Sequence, residues 1–189
     1  MRPAPGPRMR GPGGRCMHRP LIIAGVDAFT VSTSIALPRE QIFEYLADIA
    51  NHAEFSDHYL VKWHLLREDS RGEGAGARFR IEAPLNRFSW GDVTISELDP
   101  PYRIVEKGRT GKFNRLRTLG IWTLSPGAGG TTIVDYTYET DPGPLSDQLR
   151  DALGGRSWTQ RQTSKALRRL RAILEEGARR GTRPSVAAR

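Results

Sequence analysis

The residues best suited to chemistry in this sequence are the histidines, acids and tyrosines of its central part. His52, His58 and His64 are spaced by six residues, which fits neither one helix face nor a short metal-binding turn. No cysteine or glutamate completes a zinc set at this spacing, so no metal site is predicted. We expect these histidines at the surface or at a cavity rim. His58 is the best candidate to face a cavity, because Phe55 and Tyr59 flank it.

Nucleophilic catalysis is not predicted, because the chain has no G-x-S-x-G motif and its single cysteine, Cys16, lies in a predicted tail. Residues 72–76 (GEGAG) lack the strand-to-helix context of a nucleotide-binding loop, so no cofactor is predicted. Acid–base chemistry on a carbonyl requires only an apolar pocket, a proton donor or acceptor and exclusion of water. The available groups are His58, Asp92, Asp135, Tyr136 and Tyr138. His58 and Tyr136 are the catalytic candidates if the protein is an enzyme.

The alternation of residues 132–138 (TIVDYTY) decides which of these groups can face a cavity. In a strand, Asp135 lies on the face opposite Val134, Tyr136 and Tyr138. The face with the tyrosines carries the larger apolar area. We therefore predict that it points inward together with Thr132, which leaves Asp135 in solvent.

Two neighbouring strands complete this picture. One has a predicted inner set of Leu116, Thr118, Gly120, Trp122 and Leu124, in which the small Gly120 makes room for a hollow. In the other, alternation places Phe88, Trp90 and Asp92 on one face of the strand. It places Val93 and Ile95 on the opposite face. The sequence leaves open whether a bulge or an exposed aromatic pair resolves that conflict.

The elements that position these residues follow from periodicity and turn signals. A half-buried strand opens at residue 28, and a helix follows from Pro38 with apolar residues at helical spacing. A second short helical piece covers residues 51–59. Six further strands are predicted at residues 61–67, 77–83, 87–98, 102–109, 114–124 and 131–140, with a turn at Asp99-Pro100-Pro101.

A long C-terminal helix is predicted from near Ser146, weakened or kinked at Gly154 and Gly155. Its apolar stripe consists of Thr163, Ala166, Leu167, Leu170, Ile173 and Leu174. The fold class is therefore α+β, with a seven-stranded curved antiparallel sheet wrapped around this helix and two short helices after the first strand.

The net charge of +8 lies mainly at the two ends of the chain. Residues 1–27 carry +4, residues 28–146 carry −3 and residues 147–189 carry +7. A nucleic-acid module would place its positive charge on a folded face, so nucleic-acid binding is not expected. The basic helix face from Arg161 to Arg171 could make a weak contact with an anionic membrane or a partner, although a solvated face is the usual explanation.

The two ends have the composition of disordered tails. Residues 1–27 combine proline, glycine and arginine with almost no large apolar residue before Leu21, and residues 177–189 are interpreted in the same way. No apolar run reaches 18 residues, and no signal-peptide pattern is present. We therefore expect one folded domain at residues 28–176, in a cytoplasmic monomer or homodimer.

Several short segments resemble the SRPBCC superfamily of START-like, helix-grip proteins, and within it the polyketide cyclase/dehydrase and lipid-transport group. The matching segments are residues 35–43 (IALPREQIF), 98–104 (LDPPYRI), 122–126 (WTLSP), 130–132 (GTT) and 166–170 (ALRRL). The resemblance covers residues 28–176. It implies a cavity between the sheet and the C-terminal helix, in a superfamily of cyclases, ligand carriers and receptors.

The leading hypothesis is thus a carrier or sensor of a small hydrophobic or aromatic ligand. The alternatives are a polyketide cyclase/aromatase-like enzyme that uses the same cavity, and an interaction module that uses the basic tails and helix face. The predicted ligand-binding residues are Phe55, His58, Tyr59, Trp90, Leu116, Thr118, Trp122, Val134, Tyr136, Tyr138 and Trp158.

Overall fold

The computed structural model describes residues 28–84, 90–141 and 155–186. It confirms the predicted α+β fold, in which an antiparallel sheet of seven main strands packs on a long C-terminal helix, with two short helices after the first strand. The predicted tail at residues 1–27, including Cys16, lies outside the described residues. The same holds for Arg87, Phe88, Ser146 and Gly154.

The elements are β1 (Phe29–Ile35), α1 (Arg39–Leu46), α2 (Ile49–Ser56), β2 (Leu60–Leu65), β3 (Gly76–Ile81), β4 (Trp90–Asp99), β5 (Arg103–Thr110), β6 (Leu116–Pro126), β7 (Thr132–Thr140), α3 (Arg156–Glu176) and β8 (Ser185–Val186). The strand order is β1-β7-β6-β5-β4-β3-β2-β8. Neighbouring strands are antiparallel except β2 and β8, which pair in parallel through two residues each.

Local sequence signals explain where the first elements begin. Phe29, Val31 and Ile35 are buried on one face of β1. Pro38 precedes α1, where a fixed φ suits the first helical turn. The Asp48 side chain caps α2 by accepting a hydrogen bond from the Ala50 N–H at 3.1 Å. These signals place α1 and α2 directly after β1, as predicted.

The core lies between the sheet and the apolar stripe of α3. Ala166, Leu167, Leu170 and Ile173 are buried there, together with Thr163. Each fully buried leucine contributes about 1.5–3 kcal/mol relative to an exposed one. The helix ends at Gly177, which adopts φ 61° as expected for a left-handed helix cap.

The residues after α3 differ from the predicted disordered tail, because residues 177–186 pack along α2 and β2. The Gly181 N–H donates to the Glu54 carbonyl at 2.9 Å, and the Thr182 N–H donates to Asp57 Oδ2 at 3.0 Å. Arg183 Nε lies 3.3 Å from the buried Glu54 carboxylate. Composition predicted an unpaired basic tail, but an acid on a distant helix supplies its partner.

No helix within the described parts of the chain is long and apolar enough to cross a membrane.

Candidate functional site

A cavity of about 540 Å³ lies between the inner face of the sheet and α3. Its walls come from β1 to β7, from α2 and from the first half of α3. Eight of the predicted ligand-binding residues line it: Phe55, Tyr59, Leu116, Thr118, Trp122, Tyr136, Tyr138 and Trp158. The volume is within the range of small-molecule sites, about 300–1,000 Å³.

Aromatic contacts connect the wall formed by the sheet to the wall formed by α2. The Trp122 and Tyr136 ring centroids are 4.3 Å apart on adjacent strands, and Phe55 meets Trp122 edge-on at 6.1 Å. Tyr59 meets Trp158 of α3 edge-on at 6.1 Å. Stacked and edge-on arrangements at these distances stabilise aromatic pairs. Aromatic rings from the sheet, α2 and α3 therefore form part of the cavity wall.

The predicted inward faces of β6 and β7 are confirmed by burial. Thr132 and Val134 are buried, and Asp135 lies on the other face, where it accepts a hydrogen bond from Ser32. The absence of a side chain at Gly120 leaves space, as expected, and two polar side chains occupy that space. A Cβ at this position would lie 2.6 Å from Tyr136 Oη and 3.1 Å from Glu106 Oε2.

Three predicted ligand-binding residues do not line this cavity. Val134 is buried in the hydrophobic core. Trp90 is 39% exposed beneath the Arg78 guanidinium, which lies 5.4 Å from its ring. Gly91 and Ile95 are buried on the other face of β4, so Trp90 lies on the outer face, and the register shift in β4 comes later, between Ile95 and Glu97.

The third is His58, which lines an adjoining depression that shares Tyr59 and Trp158 with the main cavity. Its Nε2 lies 3.3 Å from the Gln162 carbonyl oxygen of α3. Burial lowers the pKa of His58, and the nearby charges of Lys165 and Arg169 lower it further. His58 is thus not one of the described residues that line the main cavity, and its role in ligand binding stays a prediction.

The sequence analysis missed the polar centre of the cavity, which consists of Glu106 of β5 and His52 of α2. These side chains are 4% and 5% exposed. Trp122 Nε1 donates to Glu106 Oε1 at 2.8 Å, and His52 Nδ1 lies 3.3 Å from the same oxygen. The expectation that His52 lies at the surface or rim is wrong, because α2 turns it toward Phe55 and Trp122.

A hydrogen bond to the backbone fixes the orientation of the His52 ring. His52 Nε2 lies 2.8 Å from the Leu46 carbonyl oxygen, which can only accept, so Nε2 carries a hydrogen. Nδ1 is thereby turned toward Glu106 Oε1 at 3.3 Å, a distance over which the imidazole and the carboxyl group can exchange a proton.

Two tyrosines complete this polar centre. Burial raises the pKa of Tyr136 well above its ordinary value, and the charge of Glu106 raises it further. Burial also raises the pKa of Tyr59 to about 12, although a hydrogen bond with Thr163 opposes the shift. Both hydroxyl groups are therefore protonated at neutral pH and available as hydrogen-bond donors.

Asp92 is the other acidic residue among the described residues that line the cavity. It accepts a hydrogen bond from Asn114 Nδ2 at 3.2 Å. Across the described ranges, no group of three or more histidine, cysteine or acidic side chains could hold a metal ion.

Comparison with known proteins agrees with this architecture. The model of the polyketide cyclase / dehydrase and lipid transport family matches residues 27–175. The chain belongs to this family. A search of curated proteins finds no significant match.

Solved structures of similar fold share little sequence with the chain. TTHA0849 from Thermus thermophilus is 15% identical with a TM-score of 0.59, and the match covers 80% of this chain and 99% of that one. The KanY protein is 13% identical with a TM-score of 0.63, over 79% and 98% of the two chains. DynU16, described as a putative protein in the dynemicin biosynthetic locus, is 20% identical with a TM-score of 0.51, over 86% and 50%. These likenesses support the family's fold.

Proposed function

We propose that this member of the family binds a small hydrophobic or aromatic molecule in the cavity between the sheet and α3, as a carrier or sensor. The observation that carries the proposal is the cavity of about 540 Å³, whose walls are largely aromatic and apolar. Its polar residues include Glu106, which contacts Trp122 Nε1 and His52 Nδ1, as expected where a ligand must be oriented. Membership of a family that includes lipid transport agrees with an apolar ligand.

Filling the cavity tests this proposal. Thr118 is half-buried and lines the cavity, whereas its neighbour Arg117 is exposed on the outer face of the same strand. Thr118→Phe should reduce binding of an apolar fluorescent probe such as 1-anilinonaphthalene-8-sulfonate at least tenfold. Arg117→Phe adds the same side chain outside the cavity and should leave the affinity unchanged.

The assay is fluorescence titration of each variant, with circular dichroism to verify folding. Equal affinity in the two variants would show that the probe binds elsewhere and would contradict the proposal. Native mass spectrometry of protein purified from its own host is the complementary measurement, because a retained molecule of defined mass identifies the natural ligand class.

The His52–Glu106 pair favours a second candidate function, a cyclase-like enzyme in the same cavity. The pair could remove a proton from carbon next to a ligand carbonyl, while the Tyr136 hydroxyl donates a hydrogen bond to the carbonyl oxygen. The enolate carbon could then bond to a second carbonyl carbon of the same molecule, whose C=O π bond breaks, and the proton held by the pair passes to the resulting alkoxide oxygen to give a hydroxyl group. Loss of this hydroxyl group as water requires a second proton, which the pair takes from the same ligand carbon as the C=C bond forms. This sequence needs no group beyond those lining the cavity.

Turnover of a poly-β-ketone substrate distinguishes the enzyme from the carrier. For an enzyme, Tyr136→Phe should lower kcat strongly with a small change in KM, because the hydroxyl acts mainly on developing charge. His58→Ala is the matched control, because His58 is not one of the described residues that line the main cavity. A substrate recovered unchanged after incubation with the wild-type protein would rule out this second function and leave the carrier proposal intact.

The interaction-module alternative receives less support from the basic face of α3. Arg169 pairs with Asp57 at 2.7 Å and Arg171 pairs with Glu175 at 2.8 Å, so both are neutralised within the fold. Arg161 lines the cavity. The cations of this helix therefore serve the domain itself at these positions.

A further inference from the structure

We propose that the ligand carries a neutral hydrogen-bond donor, an O–H or N–H group on an aromatic framework, and inserts it toward Glu106 Oε2. This inference rests on the proposed binding function and names the chemical class that the cavity selects.

The first observation is the unequal use of the two Glu106 oxygens. Oε1 accepts from Trp122 Nε1 at 2.8 Å and contacts His52 Nδ1 at 3.3 Å. Glu106 lines the cavity, and both of these contacts with described side chains are made through Oε1, which leaves Oε2 open to a donor on a ligand. A ligand that offers a donor to this oxygen gains affinity over one that does not.

The second observation is that Oε2 lies beside the Tyr136 hydroxyl group. Gly120 lies opposite Glu106 in the β5–β6 register, and a Cβ there would lie 3.1 Å from Oε2 and 2.6 Å from Tyr136 Oη. The missing side chain lets both oxygens lie close to the β6 backbone at one point of the cavity wall. A ligand hydroxyl that reaches this point from the cavity could donate to Oε2 while accepting from the Tyr136 hydroxyl, which satisfies the donor and acceptor capacity of an O–H group.

Charge decides against a cationic donor. Arg109, Arg156 and Arg161 line the cavity, whereas Asp92 is the other acidic residue among its described lining residues. The described lining therefore holds three arginines against two acidic residues. This excess of positive charge disfavours a protonated amine, whereas a phenol-like group enters without a charge.

Two probes of nearly equal shape test the inference. 2-Naphthol carries a hydroxyl group that is protonated at pH 7, as a tyrosine side chain is, and 2-methoxynaphthalene has only an acceptor at the same position. Isothermal titration calorimetry at pH 7 should give at least about tenfold tighter binding of 2-naphthol to the wild-type protein, as expected for a hydrogen bond to a charged or proton-sharing group.

The Glu106→Gln variant tests whether Oε2 is the atom that causes the preference for 2-naphthol. Trp122 Nε1 can only donate, so the amide oxygen must take the Oε1 position and the amide NH₂ then takes the place of Oε2. Because the amide NH₂ donates where Oε2 accepted, the preference for 2-naphthol should disappear. Asp92→Asn is the matched control, because it removes another cavity carboxylate and should retain the preference.

The outcomes separate this inference from the proposed function. Equal affinity of the wild-type protein for both probes would overturn the donor class while leaving apolar ligand binding intact. A preference that persists in Glu106→Gln would overturn the assignment to Oε2. Binding of neither probe would contradict the binding function, and the inference with it. The wild-type comparison needs no variant, so it decides the donor class even if Glu106→Gln fails to fold.

Discussion

Replacing Gly120 with alanine would place a methyl group against Tyr136 and Glu106 at the polar centre of the cavity. The added Cβ would lie 2.6 Å from Tyr136 Oη, 3.1 Å from Tyr136 Cε2 and 3.1 Å from Glu106 Oε2. Contacts below 3 Å force a shift of side chains or backbone, and overpacking of this kind costs about 1–3 kcal/mol. In an uncrowded strand the same change would be neutral or stabilising by a few tenths of a kcal/mol, because alanine restricts the unfolded chain.

A second substitution shows whether the clash is the cause. Tyr136→Phe removes the oxygen at 2.6 Å, so Gly120→Ala should cost at least about 1 kcal/mol less in that background. Tyr138→Phe is the matched control, because its hydroxyl is not among the three atoms nearest the added Cβ. The free energy of unfolding is measured by urea titration with tryptophan fluorescence. An equal cost of Gly120→Ala in all three backgrounds would refute the reasoning.

Three further predictions concern the buried groups. Glu106→Leu should destabilise the fold by about 3–5 kcal/mol in urea titrations, and adding His52→Leu should restore part of the loss, because the imidazole then no longer lacks its partner. Burial raises the pKa of Tyr59 from 10.0 to about 12, so its contribution to stability is complete below pH 10 and disappears as pH rises through 12; a Tyr59→Phe protein with the same decline would contradict this. Lys165→Met should raise the pKa of His58 in NMR titrations while leaving it below 6.5, because burial is the larger cause of its depression.

The sequence predicted the cavity wall well where strands are regular and one face is clearly more apolar. On β7 the choice lay between the face of Val134 and Tyr136 and the face of Asp135, and burial of the tyrosine face follows from the hydrophobic effect alone. On β4, Val93 and Ile95 already defined the inner parity. The bulge that complicates this strand lies between Ile95 and Glu97, beyond Trp90, so alternation from Val93 backwards would have placed Trp90 outside.

Glu106 could not be assigned from a local pattern. Ile104, Val105 and Glu106 are all buried, so β5 lacks the alternation that distinguishes an inner from an outer face. Glu106 shares parity with Ile104, but a charged side chain is normally placed in solvent unless a partner is known. Its partner, His52, comes from a helix on the other side of the cavity, and only the folded chain brings the two together.

The position of residues 177–186, which follow α3, could not be predicted from local sequence either. Arg180 and Arg183 have the composition of a disordered tail, yet both lie within 3.5 Å of the Glu54 carboxylate, which is almost fully buried. Composition measures the apolar area a segment can bury, and this segment buries little. It is positioned by polar contacts to α2, whose acid lies far away in the sequence, so no property of the segment itself predicts its position.

The cost of burying the His52–Glu106 pair bears on why the chain keeps it. A buried ion pair adds little to stability, and apolar residues of similar volume often stabilise a fold at least as well. Packing alone would therefore favour a filled apolar core at this position. Instead, the chain places a proton-sharing pair beside a glycine whose missing side chain keeps one carboxylate oxygen and one tyrosine hydroxyl next to an open cavity. The proposed ligand, which would donate to Oε2 and accept from the Tyr136 hydroxyl, accounts for these features together, whereas packing stability alone does not account for the buried pair.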